Sequence, residues 1–272
     1  MEMSGIGVAI ALASAALHAA WNLRLKAAAD PLRLAARALP MATAGVTPLV
    51  AVAWVAAGRP LLPWRGWLIA CASGLCELVY FHLLAAGYRR GEVSSVYPTA
   101  RGTAPVLGVA IGLTAFGERL SAAEAAGVAL LVAGVWLARP PSTSRRALAP
   151  ALATGCAIAA YTALDSVGVR TGPFWLYDWT IFAITSLLLL PWGRGGSPVV
   201  PTALVGSMTI GSYTLVLLAL SLAPLALVAP AREVGVVLVA VWAILRLGER
   251  ERALFKLGGA GLVVAGAGLL VV

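Results

Sequence analysis

The sequence ARGTAPVL at residues 100–107 lines up with AREVGVVL at residues 231–238, and the tripeptide GER occurs at both 117–119 and 248–250. Both pairs of segments are 131 residues apart. A spacing that is shared by two separate matches predicts an internal repeat, with one copy of the repeat in each half of the chain.

The charged residues of these segments carry the argument, because Ala, Val and Leu match easily by chance. Arg101 lines up with Arg232, and Glu118 lines up with Glu249. Charged residues are rare in apolar segments of this kind. Two matched charges therefore favour a true repeat.

The composition of the chain excludes a soluble domain. Of the 272 residues, 61% are apolar and 11% are charged, whereas soluble proteins have roughly 45–50% and 25%. The mean hydropathy is +0.92, so lipid must cover much of the surface. The net charge of +9 comes from basic residues scattered between apolar blocks. That pattern is typical of a membrane protein and not of a nucleic-acid-binding one.

Ten apolar segments have about the 20 residues that a helix needs to cross a bilayer. They cover residues 4–23, 33–57, 66–87, 94–113, 120–138, 148–168, 175–193, 202–222, 226–245 and 253–272. The polar sequence RPPSTSRR interrupts them near the middle. We therefore predict a first repeat at 1–138, a linker at 139–147 and a second repeat at 148–272. Five spans per repeat insert the second copy upside down, which is typical of secondary transporters with a substrate site between the repeats.

The segments Ser94–Leu137 and Leu222–Leu270 each combine a proline-containing span, a GE turn and a glycine-rich span. In this they resemble the end of an EamA domain of the drug/metabolite transporter superfamily. The resemblance implies an all-α integral membrane fold of ten helices in two inverted five-helix repeats, which move small metabolites. The related small multidrug exporters carry a glutamate in the first span, but residues 4–23 contain no acid. Their coupling chemistry is therefore not carried over.

Glu77 lies in the middle of the third span, about 15 Å of helix rise from either interface. Tyr80, Phe81 and Leu84 follow it at helical spacing, so one face combines a carboxylate with aromatic rings. Such a face could bind an amine through an ion pair and cation–π contacts. The alternative is a protonated Glu77 that is hydrogen-bonded to a neighbouring helix.

The first span carries a polar stripe of Ser14, His18 and Asn22, with Trp21 beside it. The stripe must face the bundle, where it either lines a cavity or joins helices by hydrogen bonds. His18 is also a candidate proton relay. Cavity lining is favoured by a similar pattern in the sixth span, formed by Tyr161, Thr162 and Asp165. Tyr213 and Trp242 are weaker candidates in the eighth and ninth spans.

Arg101 and Arg232 follow Pro98 and Pro230, which remove helical hydrogen bonds and make candidate hinges. With Tyr97 on the same helix face, Arg101 could hold a carboxylate or phosphate through its forked donors. In the alternative, the two arginines pair internally with Glu233 and Glu77.

Glycines predict where helices approach closely. Gly108 and Gly112 form a small-xxx-small pair, and the glycines from 258 to 268 would let helices approach closely. As a further part of the repeat, GVALLVAG at 127–134 lines up with GAGLVVAG at 259–266. Glu118 and Glu249 precede the next spans, so we expect each to lie at the N-terminus of the helix that follows it.

The orientation in the membrane stays open. Fourteen basic residues fall in the odd-numbered connections and four in the even-numbered ones. The positive-inside rule then puts both termini outside, whereas the resemblance implies cytoplasmic termini. Eighteen of the 20 basic residues are Arg, which together with abundant Ala and Gly is typical of a GC-rich bacterial genome.

We therefore expect a multi-pass protein of the bacterial inner membrane that carries small polar or zwitterionic metabolites, amino-acid-like or amine, by alternating access. Glu77 and Arg101 would hold opposite charges of the substrate. Protons are a candidate coupling ion, and the protein is expected to be a monomer or weak homodimer without metal, cofactor or nucleic-acid partner. The two histidines lie far apart and neither HExxH nor GxSxG occurs, so an enzyme is disfavoured. The alternative function is a non-enzymatic membrane subunit or lipid flippase.

Overall fold

A computed structural model describes residues 2–91, 93–138, 145–195, 199–235, 237–238 and 253–271. In this part of the chain the regular structure is helical, as the composition predicts. The helices are α1 Glu2–Ala27, α2 Pro31–Ala56, α3 Trp64–Arg90, α4 Val93–Ala115, α5 Ala122–Ala138, α6 Arg145–Gly168, α7 Phe174–Leu189, α8 Val199–Leu222, α9 Leu225–Ala231 and α10 Ala253–Val271. Short 3₁₀ turns follow α7, at Leu190–Trp192, and α9, at Arg232–Val234.

Local sequence signals set several helix starts. Asp30 caps α2 by accepting a hydrogen bond from the Arg33 backbone nitrogen at 3.1 Å, and Pro31 occupies the first turn. Before α5, Ser121 and Glu124 form a capping box, in which each side chain accepts from the other residue's backbone nitrogen, at 2.6 and 3.2 Å.

Six of the described helices are long and apolar enough to cross a membrane: α1, α2, α3, α6, α7 with its 3₁₀ turn, and α8. The apolar stretches of α5 and α10 are shorter. Helix α4, which contains Thr99 and Arg101, is not among the six. For each span predicted between residues 4 and 222, the helix ends lie within four residues of the expected bounds. The ninth predicted span, 226–245, falls only partly within the described residues. The protein is thus a multi-pass membrane protein.

The main helix contacts join the first half of the chain to the second. Helix α1 packs on α8, and α3 packs on α6. Helix α2 packs on both α7 and α8, α4 on α6 and α9, and α5 on α10. The two halves therefore form one interdigitated bundle.

Glycines bring α5 and α10 into backbone contact, as the sequence predicts. A Cβ atom added at Gly127 would lie 2.8 Å from the carbonyl oxygen of Gly266, and one added at Gly134 would lie 2.5 Å from that of Gly259. The contact is reciprocal, because a Cβ atom at Gly266 would lie 2.5 Å from the Gly127 oxygen. Since residue numbers rise along α5 while those of their partners fall along α10, the two helices are antiparallel.

Glu118 caps a different helix from the one expected. Its carboxylate oxygens accept hydrogen bonds from the backbone nitrogens of Leu225 and Ala226, both at 2.8 Å, at the start of α9. The expectation that Glu118 caps the following helix, α5, is wrong, because the Ser121 capping box already occupies that position. Gly117, with φ of +64°, turns the chain back beneath α4 and so directs Glu118 to α9.

We predict that Gly266→Ala destabilises the protein, because the added methyl group would meet the backbone of α5. The cost should be about 1–3 kcal/mol, measured as a lower melting temperature of the purified protein in detergent. Gly268→Ala in the same helix is the matched control, since nothing lies within 4 Å of the added Cβ atom. It should be neutral or slightly stabilising through helix propensity. Equal losses in the two variants would contradict the close contact.

Candidate functional site

Polar and ionisable side chains are buried between α1, α3, α4, α6, α7, α8 and the 3₁₀ turn after α9. At membrane depth each ionisable group needs a compensating partner. The buried set includes His18, Asn22, Glu77, Arg101, Thr162, Asp165, Asp178, Arg232 and Glu233.

Arg101 forms a buried ion pair with Glu233. Its Nε atom lies 2.7 Å from the Glu233 Oε2 atom, and the two side chains are only 3% and 2% exposed. The Nη1 atom contacts His18 Nε2 at 3.2 Å, and Nη2 donates to the Arg232 carbonyl oxygen at 3.0 Å. The guanidinium also lies over the Tyr97 ring, 5.8 Å from its centroid. Of the two roles considered for Arg101, the structure therefore contains the internal pair with Glu233.

The prolines stand where the sequence predicts local distortion. Pro98 lies in α4, one turn before Arg101, and Pro230 lies in α9. Directly after Pro230, at Arg232, the α-helix gives way to the 3₁₀ turn. The Arg232 carbonyl oxygen on this turn is the acceptor for Arg101.

Arg232 has a different environment from Arg101. Its Nη1 atom donates to Thr162 Oγ1 at 3.1 Å, and its guanidinium lies 5.5 Å from the centroid of the Tyr213 ring. Its Nη2 atom is buried and forms no hydrogen bond with the described residues. The expected alternative pair with Glu77 does not form, since the ion pairs among the described side chains are Arg101–Glu233 and Arg33–Asp30.

Glu77 is buried in the middle of α3, at 5% exposure. Thr185 on α7 donates a hydrogen bond to its Oε2 atom at 3.0 Å. The contact with a neighbouring helix, offered as the alternative to substrate binding, is therefore present. It occupies one of the two carboxylate oxygens and leaves the other as an acceptor.

Aromatic rings of α3, α6 and α8 pack against one another. The Tyr80 ring meets the rings of Phe81 and Tyr161 edge-on, with centroids 5.0 and 5.7 Å apart. Tyr161 in turn meets Tyr213, at 5.6 Å. The fold thus brings together four sequence-predicted site residues from α3, α6, α8 and the 3₁₀ turn: Tyr80, Tyr161, Tyr213 and Arg232.

The polar stripe of α1 lies on the other side of Arg101. His18 meets the Trp21 ring edge-on at 4.9 Å. Asn22 donates to the His18 carbonyl oxygen at 3.1 Å and accepts from the Tyr88 hydroxyl at 3.3 Å. Ser14 donates to its own helix, at the Ala11 carbonyl oxygen. The stripe therefore joins α1 to α3 and α4 through hydrogen bonds and ring contacts.

Two acids of the second half are more central than the sequence analysis indicated. Asp165 accepts from the Tyr177 hydroxyl at 2.8 Å and also from the Tyr213 hydroxyl. Asp178 accepts from Thr214 Oγ1 at 2.5 Å. In the sequence, Asp165 was predicted only as part of a pattern with Tyr161 and Thr162, and Asp178 was not predicted. The available signal was an acid in the apolar segment FWLYDWTIF.

Within the described residues, several of these ionisable side chains contact one another directly, as Arg101 does with Glu233 and His18. A cavity next to Thr162, Arg232 and Glu233 has a volume of about 10 Å³, which is close to that of a single water site. A larger cavity of 430 Å³ lies away from these groups, at the ends of α1, α2 and α8, where Arg24 and Arg33 contribute to its wall. Trp242 and Glu249 lie outside the described residues.

We predict that Arg101→Gln and Glu233→Gln each destabilise the protein by about 3–5 kcal/mol, because each leaves a buried charge unpaired. The double variant should lose less than the sum of the single losses, since it removes both charges. The measurement is the free energy of unfolding in mixed micelles for all four proteins.

The exposed pair Arg33–Asp30, whose side chains are 51% and 42% exposed, supplies the control. Its own cycle of Arg33→Gln and Asp30→Asn should give a coupling below about 1 kcal/mol. Additive losses at Arg101 and Glu233 would show that the buried contact does not stabilise the fold.

The chain is similar to known proteins in sequence and in fold. Residues 5–139 match the model of the EamA-like transporter family. A solved structure titled "Crystal structure of protein" superposes with a TM-score of 0.71 over 98% of this chain and 95% of that chain, at 19% sequence identity. At that identity the likeness concerns the fold alone. No curated protein matches the sequence. On the family match, the chain belongs to the EamA-like transporter family of the drug/metabolite transporter superfamily.

Proposed function

We propose that this protein is a secondary transporter of small polar or zwitterionic metabolites that carry an amine group, working by alternating access in the bacterial inner membrane. The observation that carries the proposal is the environment of Glu77. This carboxylate is buried at mid-span beside aromatic rings, and no Arg or Lys of the described residues forms an ion pair with it. A substrate ammonium group would supply the missing positive charge.

The packing of the helices supports two inverted repeats, at 1–138 and 148–272, joined by the linker 139–147. In the sequence alignment Gly127 corresponds to Gly259, and Gly134 corresponds to Gly266. The contacts cross over, so that Gly127 meets Gly266 and Gly134 meets Gly259. Crossed contacts between equivalent residues are the signature of a two-fold axis. The equivalent pairings of α1 with α8 and of α6 with α3 follow the same rule.

The two ends of a zwitterion would bind different groups. Glu77 would take the ammonium group, with Tyr80, Tyr161 and Tyr213 as the aromatic wall. Arg232 would take the carboxylate, because its Nη2 atom has no hydrogen bond within the described residues. This assigns to Arg232 the role that the sequence analysis gave to Arg101.

Arg101 would instead hold the bundle together. It links α4 to α1 through His18 and to the turn after α9 through Glu233. Trp21, Asn22 and Tyr97 surround this link and would support it.

The small cavity beside Arg232 fits a closed state of the transport cycle. Opening would require α4 and α9 to bend or tilt, and Pro98 and Pro230 provide the positions at which helical hydrogen bonds are missing. Glu233 would then move relative to Arg101, so the ion pair would stabilise the closed state.

We predict that amines and amino acids raise the melting temperature of the purified protein, whereas carboxylic acids of similar size without an amine do not. A ligand at 100 times its Kd should stabilise the folded protein by about 2.7 kcal/mol. Glu77→Gln should abolish the shift for both active classes. Arg232→Gln should abolish it only for compounds that carry a carboxylate. Uptake of the same compounds into reconstituted vesicles should follow the same order.

Glu124→Gln is the control, because Glu124 lies in the capping box of α5, away from the site. It should keep the ligand-induced shift and change the melting temperature little, because a glutamine oxygen can still accept the capping-box hydrogen bond. Stabilisation by carboxylic acids alone, or an undiminished shift in folded Glu77→Gln protein, would contradict the proposed amine site.

A further inference from the structure

A cavity of about 430 Å³ lies where α1 ends and where α2 and α8 begin. Its volume is within the range of sites that bind small ligands. None of the residues of the candidate substrate site lines it. Its lining includes three charged residues and three residues of α8: Arg24, Asp30, Arg33, Pro201, Thr202 and Val205. The wall therefore combines charged side chains with a mainly apolar helix surface.

The cavity is at one end of the helix bundle. Arg24 is in the last turn of α1, and Arg33 is in the first turn of α2. Gly7 packs on Ala223, directly after the end of α8, whereas Arg24 contacts Met208, which is nearer to the start of α8. Helices α1 and α8 are therefore antiparallel, and the end of α1 lies beside the start of α8. The ends of membrane-spanning helices lie at the level of the lipid headgroups.

The cavity has a net positive charge. One Asp30 oxygen accepts from the Arg33 backbone nitrogen at 3.1 Å, and the other lies 3.6 Å from the Arg33 Nε atom, so these two charges offset each other. Arg24 forms no ion pair with an acid of the described residues. Its Nη1 atom donates to the Met208 sulfur at 3.7 Å, and a thioether is a weak, neutral acceptor. The charge of Arg24 is therefore not balanced within the described part of the chain.

The guanidinium of Arg24 lies on the membrane side of the cavity. Its contact, Met208, is about one helical turn further from the start of α8 than Val205, which belongs to the cavity wall. An anion that enters the cavity from the surrounding bilayer would therefore meet Arg24. Arginine binds phosphate oxygens through paired, charge-assisted hydrogen bonds.

The wall that α8 contributes adjoins a lipid-facing surface. Pro201 and Val205 line the cavity, and Val200 and Leu204, each one residue earlier, are exposed. Because successive residues of a helix are about 100° apart, the two faces are neighbours. Exposed apolar side chains of a membrane-spanning helix contact acyl chains. A lipid whose chains lie along Val200 and Leu204 would thus have its headgroup at the cavity, which favours a lipid over a free anion.

We propose that this cavity binds the headgroup of an anionic phospholipid, with the phosphate on Arg24 and the acyl chains along Val200 and Leu204. The net charge of the cavity favours a lipid with one negative charge, phosphatidylglycerol, over the zwitterionic phosphatidylethanolamine. The bound lipid contacts α1 and α2 of the first half of the chain and α8 of the second half, so it stabilises the packing between them. The proposal is independent of the proposed transport function, because the two sites share no residue.

The test is native mass spectrometry of the purified protein, with phosphatidylglycerol and phosphatidylethanolamine of identical acyl chains as probes. We expect wild type to bind one phosphatidylglycerol with an affinity about fivefold above that for phosphatidylethanolamine. Arg24→Gln should remove this preference and weaken phosphatidylglycerol binding about tenfold. Arg65→Gln is the matched control, because Arg65 is an exposed arginine in the first turn of α3, whose other end contacts Lys26. It should change neither affinity.

Glycerol phosphate, which has the headgroup but no acyl chains, distinguishes a lipid site from a site for free phosphate esters. It should not displace phosphatidylglycerol at the same concentration. Melting temperatures show whether Arg24→Gln is folded, and the comparison of the two lipids in wild type needs no variant. The proposal is overturned if wild type binds both lipids equally, if folded Arg24→Gln keeps the preference, or if glycerol phosphate displaces the lipid.

The lipid site and the amine site can fail separately. Glu77→Gln should bind phosphatidylglycerol as wild type does, since Glu77 does not line the cavity. Equal binding of the two lipids would leave the amine site standing. Absence of an amine-induced rise in melting temperature would leave the lipid site standing.

Discussion

The cost of placing charge inside a bilayer governs the arrangement of this bundle. An ionised side chain at mid-span is tolerated when a counter-charge or several hydrogen bonds replace water. Arg101 meets this condition through the counter-charge of Glu233 and through contacts with His18 and a backbone carbonyl. Because Glu233, the acid on the turn after α9, is paired with Arg101, it does not pair with Arg232. Arg232 and the carboxyl groups of α3, α6 and α7 therefore contact other groups.

Arg101 and Arg232 have different partners because both lie close to the single acid Glu233. Both occupy equivalent positions of the proposed repeat, but Glu233 stands next to Arg232 and its equivalent next to Arg101 is Gly102. There is therefore one acid, Glu233, for the two guanidinium groups of Arg101 and Arg232. Glu233 pairs with Arg101, and the Nη2 atom of Arg232 has no hydrogen bond within the described residues.

The sequence alone predicted the helices between residues 4 and 222 and much of the buried polar set, because apolar length and isolated charges are local signals. The sequence did not predict which of the buried polar side chains pair with each other. Arg101 was assigned with equal weight to a substrate and to Glu233, since the distance between α4 and the turn after α9 is set by packing. Glu118 was placed on the wrong helix for the same reason. Asp178 was overlooked because it lies only four residues into α7, where a side chain could reach water if neighbouring helices did not cover it.

The crossed glycine contacts between α5 and α10 have a consequence for how such a chain could arise. In an isologous contact each surface fits a copy of itself. Two separate half-length chains that carried GVALLVAG-like helices could therefore dock through the same glycines, in opposite orientations. Fusing them would turn an association between molecules into one within a molecule, with a high effective concentration. After fusion the two copies are free to diverge, and a single-sided change such as the acid at Glu233 becomes accessible, which a symmetric dimer would have had to carry twice.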